Sequence, residues 1–587
     1  MKLLYRGSLV SFLVMVTGVG LAVPSLPAIN TNNVITVTDA PYNAVGDNVT
    51  TNTAAIQNAI DAAATGGITN GLTGGTVRIP AGVFLSGPLT MKSFVNLQID
   101  VGATLKMLPH GSYPGGASPA DFISASRLQD IEISGSGTID GQGAEWWTAF
   151  EAGHIKRPKA IFAPSTCTNV LVQNITLRSP PNTHISLRNR CRDVTIQGVT
   201  INTTSDVLSD NTDGIDVNAI NCLVQNCFIS CGDDHIAIGG GSRSITVTNC
   251  TFGNGHGMSI GSGTSRGVQN LLVENSTMTI FDRASLSSGI RIKSGRDRGG
   301  LVDNLTYRNL SLTNVQNPIF ISCYYPDKTL PSDPTTDTGS AITATTPIWR
   351  DIVISNVNIV AASRRNAGRI YGLPEMPITN LTLTKVTSKA DLGFVMYHVR
   401  NAQFIDSPIN VPAGVNTFNL YDVDLVVSNR VFSTNLVRIS GWNSASITNR
   451  FAFFNARAAF TDSNVLPATK SLSLGNSVIG VSNNWTMNPT MALNFTLGTN
   501  NATIAAAGNL ALAGTINVNP GGGFANGAYT IATYKKNLTW GPPLLGSVPP
   551  GHNYAFDTNT PGQVNLLVLS SGSGTPVAAR FPERFRN

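Results

Sequence analysis

Asn169 to Leu177 reads NVLVQNITL, and the unit returns as DVTIQGVTI from Asp193, NCLVQNCFI from Asn221 and SITVTNCTF from Ser244. It continues as NLLVENSTM from Asn270, NLTYRNLSL from Asn304, DIVISNVNI from Asp351 and NLTLTKVTS from Asn380. Apolar and polar residues alternate within each unit, which is the period of a strand. Successive starts lie 24, 28, 23, 26, 34, 47 and 29 residues apart. A strand unit returning at such intervals cannot bury its apolar face alone, and stacking the units buries it. The expected fold class is all-β, a right-handed parallel β-helix over residues 29–435.

The sixth position of the unit holds Asn174, Asn226, Asn249, Asn275, Asn309 and Asn356, with Gly198 and Lys385 as exceptions. Asparagine is a poor strand residue, so an inward amide at a tight bend is expected, bonded to its counterpart one coil away. Cys227 and Cys250 share one position of the repeat and Cys167 and Cys191 another, so each pair should stack. Seven cysteines without zinc spacing read as buried small side chains or one or two disulfides.

Before the repeats, Asn52 to Ala64 places Ile56, Ala59, Ile60 and Ala63 on one helical face. This short helix should cover the open end of the first coil, with Thr51 or Thr53 as its cap. From about residue 435 charge thins out: between Gly441 and Ser570 only Arg450, Arg457, Asp462, Lys470, Lys535, Lys536 and Asp557 are charged. A separate β-rich module of open role is expected over residues 436–570, then a disordered basic tail over 571–587. Lys2 and Arg6 precede an apolar stretch from Leu9 to Leu21, so residues 1–28 read as a signal peptide and the product as secreted or periplasmic. No segment reads as a membrane span. The net charge of +6 suits a polyanionic partner without identifying one.

Four motifs sit inside the repeats: NTDG (Asn211 to Gly214), GDDH (Gly232 to His235), GHG (Gly255 to Gly257) and RIK (Arg291 to Lys293). Counted from the start of each unit, Asp233 and His256 both fall at offset 12 and Asp234 at 13. Asp213 falls at 20, Arg291 at 21 and Lys293 at 23. Near-equal offsets on successive coils bring three carboxylates, one imidazole and two cations to one face. Alone, each motif is ordinary: a turn, a solvated acidic pair, a flexible bend, a strand with charges outward. Together they supply what glycoside hydrolysis requires, a protonated acid and a carboxylate that activates water. Crowding of the acids raises at least one pKa, and Arg291 and Lys293 suit a sugar carboxylate.

In this order the motifs resemble the signature of the polygalacturonase family, glycoside hydrolase family 28. The likeness spans residues 34–430 and includes AVGDNVTTNTAAIQNAIDAA, GGTVRIPAGVFLSGPLTMKS and GSGTIDGQGAEWW. The resemblance implies Asp233 as general acid, Asp213 and Asp234 as the carboxylates around the attacking water, and His256 as the group keeping the acid protonated. It implies substrate contacts for Asn211, Arg291, Lys293, Tyr325 (with Tyr324 as the competing register) and His184. It implies inversion without a metal or other cofactor. The implied partner is acidic polysaccharide, cut by a monomer that binds no nucleic acid. His235 stands where many relatives carry a cysteine, so a disulfide often found there is missing; Cys323 replaces a common glutamine. Competing readings are hydrolysis of rhamnogalacturonan or xylogalacturonan, a calcium-dependent pectate lyase, and a non-catalytic β-helical adhesin.

Overall fold

The computed structural model describes residues 23–66, 71–203, 210–281, 287–326, 330–429, 436–442, 449–461 and 469–572. Nearly all of the expected leader and of the basic tail therefore lies outside the described residues. Parallel strands stack from Val34–Thr36 to Leu544–Leu545, forming a β-helix.

Each nine-residue unit is a bend between two strand directions. Thr168–Gln173 and Thr176–Arg178 meet around Asn174, and the pattern repeats on the following coils. Residues two and four of the unit point inward in continuous columns. One runs Val170, Val194, Cys222, Ile245, Leu271, Leu305, Ile352 and Leu381, all 3% exposed or less. At roughly 1.5–3 kcal/mol per buried aliphatic side chain, such columns supply the main drive for stacking.

The asparagine ladder exists, but it faces outward. Asn174, Asn226, Asn249, Asn275, Asn309 and Asn356 have φ between +50° and +60°, and Gly198 and Lys385 share that conformation. The bend demands a left-handed backbone, which asparagine and glycine tolerate best. All six side chains are exposed; Asn356 Nδ2 donates to Asn309 Oδ1 at 2.8 Å and Asn309 Nδ2 to Asn275 Oδ1 at 2.9 Å. The interior of the bend is filled by the next residue, as at Ile175, Val199, Cys227, Cys250 and Leu310. The thiols of Cys227 and Cys250 are hydrogen-bonded, as are those of Cys167 and Cys191, and all seven cysteines are buried and unbridged.

The helix α1 spans Thr53–Ala64, buries Ile56, Ala59, Ile60 and Ala63, and packs on the first coils. Its N-cap is Asn52, not a threonine, and no side chain caps it. The Asn52 amide is committed to Val45 instead, and Thr53 Oγ1 accepts from the Gly87 N–H.

The expected module boundary at 435 is corrected. Phe418–Ser428 pairs in parallel with Asn449–Phe454, which pairs with Thr469–Gly475, and the ladder continues to Thr515–Pro520. Composition changes there while the coil does not. Among the described residues pairing turns antiparallel only at the end, where Gln563–Ser570 lies between Gly527–Tyr534 and His552–Asp557.

Candidate active site

One ladder builds the site. The strands Ala160–Ser165, Thr183–Ser186, Ile215–Val217, Ile236–Ile238, Met258–Ile260 and Ser288–Lys293 stack in parallel, aligning Ile185, Ile215, Ile236, Met258 and Ile290. Counted back two residues from this row, Asp213, Asp234 and His256 share one position on successive coils. Counting from the repeat start paired Asp233 with His256; the register instead aligns Asp234 with His256, because the turns between ladders differ in length. Asp233 nonetheless reaches His256 sideways.

The NTDG turn is fastened to the next coil. Asn211 Nδ2 donates to Asp233 Oδ2 at 3.3 Å, and Thr212 Oγ1 accepts from the Gly232 N–H at 2.9 Å. Gly214 is required by close approach: a Cβ there would stand 2.5 Å from the His235 carbonyl oxygen. The Cys231 thiol donates to the carbonyls of Asp233 and Asp234, holding the acidic turn from beneath.

Asp234 is 3% exposed. Its Oδ1 accepts from Ser259 Oγ at 2.7 Å and Arg291 Nη1 at 2.9 Å, and its Oδ2 from Lys293 Nζ at 2.8 Å. Burial of a carboxylate is tolerated only with such partners. The two cations are thus first partners of Asp234. The Arg291 Nε–H is buried without an acceptor among the described residues.

Asp233 Oδ1 lies 2.9 Å from His256 Nδ1 and accepts the Asp234 N–H at 2.8 Å. Burial works to raise its pKa, but the His256 bond and charge, with Lys293 and Asn211, outweigh it and hold the carboxyl below the usual range. Asp213 goes the other way. Burial, then the charges of Asp216, Asp233 and Asp234, push it well above the usual carboxylate range against the pull of Lys293. Burial of Asp213 and the His256 contact of Asp233 therefore separate the two into a proton-holding and a proton-releasing group.

Tyr325, not Tyr324, borders the cations: Lys293 Nζ lies 5.3 Å from its ring centre. Tyr324 is 2% exposed and donates to Asp337 Oδ2 at 2.9 Å. His184 is corrected as a substrate contact. It is 0% exposed, so no polysaccharide reaches it. Its Nδ1 donates to the Asp213 carbonyl at 2.9 Å, which leaves Nε2 to accept from Thr203 Oγ1 at 2.7 Å. Burial lowers its pKa to about 4, keeping it neutral.

Two residues outside the motifs' expected roles join the site. Asp216, aligned with Ala237, Ser259 and Arg291, faces the groove and accepts from Thr183 Oγ1 at 3.2 Å. His235, fully buried, bonds the Gly253 carbonyl through Nε2 and accepts the Gly257 N–H on Nδ1, bracing the loop that presents His256. An acidic residue alternating with the NTDG aspartate was the available signal for Asp216; nothing in the spacing marked His235 as a brace.

Asp233, Asp234 and His256 each offer a ligand atom within 4.8 Å of the others, the geometry of a possible cation site. Both Asp234 oxygens are already bonded to Ser259 and the two cations, which compete with any ion.

The family model for glycosyl hydrolases family 28 matches residues 70–402. An endo-polygalacturonase of Pectobacterium carotovorum subsp. carotovorum is 32% identical over 349 residues, 53% of this chain and 81% of the relative. A polygalacturonase of Juniperus ashei is 31% identical over 303 residues, 49% of this chain and 56% of the relative. Among solved structures, a family 28 exopolygalacturonase of Yersinia enterocolitica superposes with a TM-score of 0.51 at 21% identity, covering 69% of this chain and 79% of that one, and shares the fold.

Proposed function

Because the chain belongs to glycosyl hydrolases family 28, we propose that it hydrolyses α-1,4-galacturonosidic bonds of de-esterified pectin with inversion at the anomeric carbon. The observation behind this reading is the convergence of Asp213, Asp233, Asp234 and His256 on successive coils beside the Arg291–Lys293 pair.

Asp233 is the proposed acid. It and His256 share one proton across the 2.9 Å bond. Substrate entry expels water and favours the neutral pair over the ionic one, which moves the proton onto the carboxyl. Asp233 then protonates the glycosidic oxygen as its bond to carbon breaks. On the opposite face water adds to the anomeric carbon and loses a proton to Asp213, whose raised pKa makes it the stronger proton acceptor once ionised. Asp234, held by Ser259, Arg291 and Lys293, orients that water. The remaining donors of Arg291 and Lys293 hold a galacturonate carboxylate, a contact wasted on a neutral sugar.

The raised pKa of Asp213 favours a second reading, with Asp213 as the acid. A leaving group that needs no protonation separates the two. Asp233→Asn should lose roughly 10²–10⁴-fold in kcat on polygalacturonate yet recover most of its rate on an aryl α-galacturonide. Recovery by Asp213→Asn instead would assign the acid to Asp213. Normal turnover of polygalacturonate by Asp233→Asn would refute the acid assignment outright.

Export is part of the proposal and rests on the basic and apolar pattern of residues 2–28. Among the described residues no helix is long and apolar enough to cross a membrane.

A further inference from the structure

We propose that a basic cleft beside the catalytic carboxylates is a distal subsite, in which Lys156 and Lys159 hold the carboxylate of a galacturonate residue remote from the scissile bond. The proposal rests on the galacturonan reading above. The cleft has a volume of about 600 Å³, and its lining includes His154, Lys156, Arg157, Lys159, Arg188 and Asn211. Asn211 joins it to the chemistry, because its amide donates to Asp233 Oδ2.

Position along the coils fits a polymer. Lys159 immediately precedes the Ala160–Ser165 strand, two coils before the strand that follows Asp213. At about 4.8 Å per coil that is roughly 10 Å along the groove. Arg291 lies three coils beyond Asp213 on the other side. The carboxylates that perform the reaction are thus flanked by cations at both ends, as a chain bearing one carboxylate per sugar requires.

The cleft's cations divide into two kinds. Arg188 is neutralised by Asp121, the one acidic residue among the described residues of the lining, through bonds of 2.6 and 3.1 Å. Arg157 is 7% exposed, lies 4.0 Å over the Phe150 ring and donates to the Asp210 carbonyl. These two form the wall. Lys156 and Lys159 are exposed, and among the described residues neither has a carboxylate within ion-pair distance. Unpaired ammonium groups lining one cleft attract an anion to it. An ammonium is a point charge that does not demand a bidentate fit, which suits a subsite that lets the polymer slide on after each cut.

The test compares Lys156→Gln/Lys159→Gln with wild type on galacturonate oligomers of increasing length. Wild type should show KM falling as oligomers grow long enough to reach the cleft. In the double variant KM on the long oligomers should rise about tenfold with kcat held, erasing most of that length dependence. Methyl-esterifying the long oligomers should raise KM more for wild type than for the variant, which has only the Arg291–Lys293 contact left to lose. An unchanged length dependence in the variant overturns the subsite while the hydrolase reading stands. Should wild type fail to cut any galacturonan, the hydrolase reading fails instead. Calorimetric binding of a long galacturonate oligomer then decides the cleft separately: tighter binding by wild type than by the variant supports it, and equal binding overturns it.

Discussion

Asp216 gives the sharpest physical prediction. Burial, with the charge of Asp234 adding, pushes its carboxyl up to about 6 from 3.8, against the bonds from Thr183 and Ser186 and the charge of Arg188. A folded-state pKa above the unfolded one means the folded chain binds the proton more tightly. Stability therefore falls as pH rises from about 4 to about 6, and the cost is complete above that window. A shift of about two units corresponds to about 3 kcal/mol. Asp216→Asn keeps the shape and an oxygen for Thr183 but cannot ionise. The variant should be more stable than wild type by about 3 kcal/mol at pH 8 and no more stable below pH 4. For 587 residues at roughly 2.1 cal/mol/K each, that is a rise in Tm of about 2 °C. Scanning calorimetry of both proteins at pH 8 and pH 4 measures it. A Tm gain equal at both pH values, or a loss at pH 8, would refute the electrostatic reasoning.

Replacing His184 with Phe leaves the Thr203 hydroxyl without its buried acceptor and removes one bond to the Asp213 carbonyl. Denaturant melts should show a loss of about 1–3 kcal/mol, and kinetics a fall in kcat with KM nearly constant; a raised KM alone would mean that His184 does not act through Asp213. Gly257 has φ of +112°, and a Cβ there would sit 2.4 Å from the Ser288 carbonyl oxygen. Gly257→Ala should cost about 2 kcal/mol or more and reduce turnover by displacing His256; a neutral melt would show that the loop relaxes freely.

The coil was legible because each strand announces its inward face by alternation, and the columns from Val170 to Leu381 follow directly from it. The site was legible as a set, since turns on successive coils bring NTDG, DD, GHG and RIK together whatever their individual lengths. Those same variable lengths hid the register, so Asp233 stood where Asp234 belongs. The outward turn of the asparagines was hidden too, because a left-handed bend is a backbone property that alternation does not encode. The family resemblance implied a substrate contact for His184, yet its ring runs inward to Thr203. Past residue 435, thinning charge obscured coils whose inward Phe451, Phe453, Leu472 and Leu474 continue the same columns.

Following the anomeric protons as purified wild-type protein digests de-esterified polygalacturonate in the presence of a chelator reads the stereochemistry and the metal requirement together. Inverting hydrolysis gives saturated products whose new reducing ends appear first as the β-anomer and only later mutarotate. Initial α-anomer, unsaturated products, or loss of activity to the chelator would contradict metal-independent inverting hydrolysis.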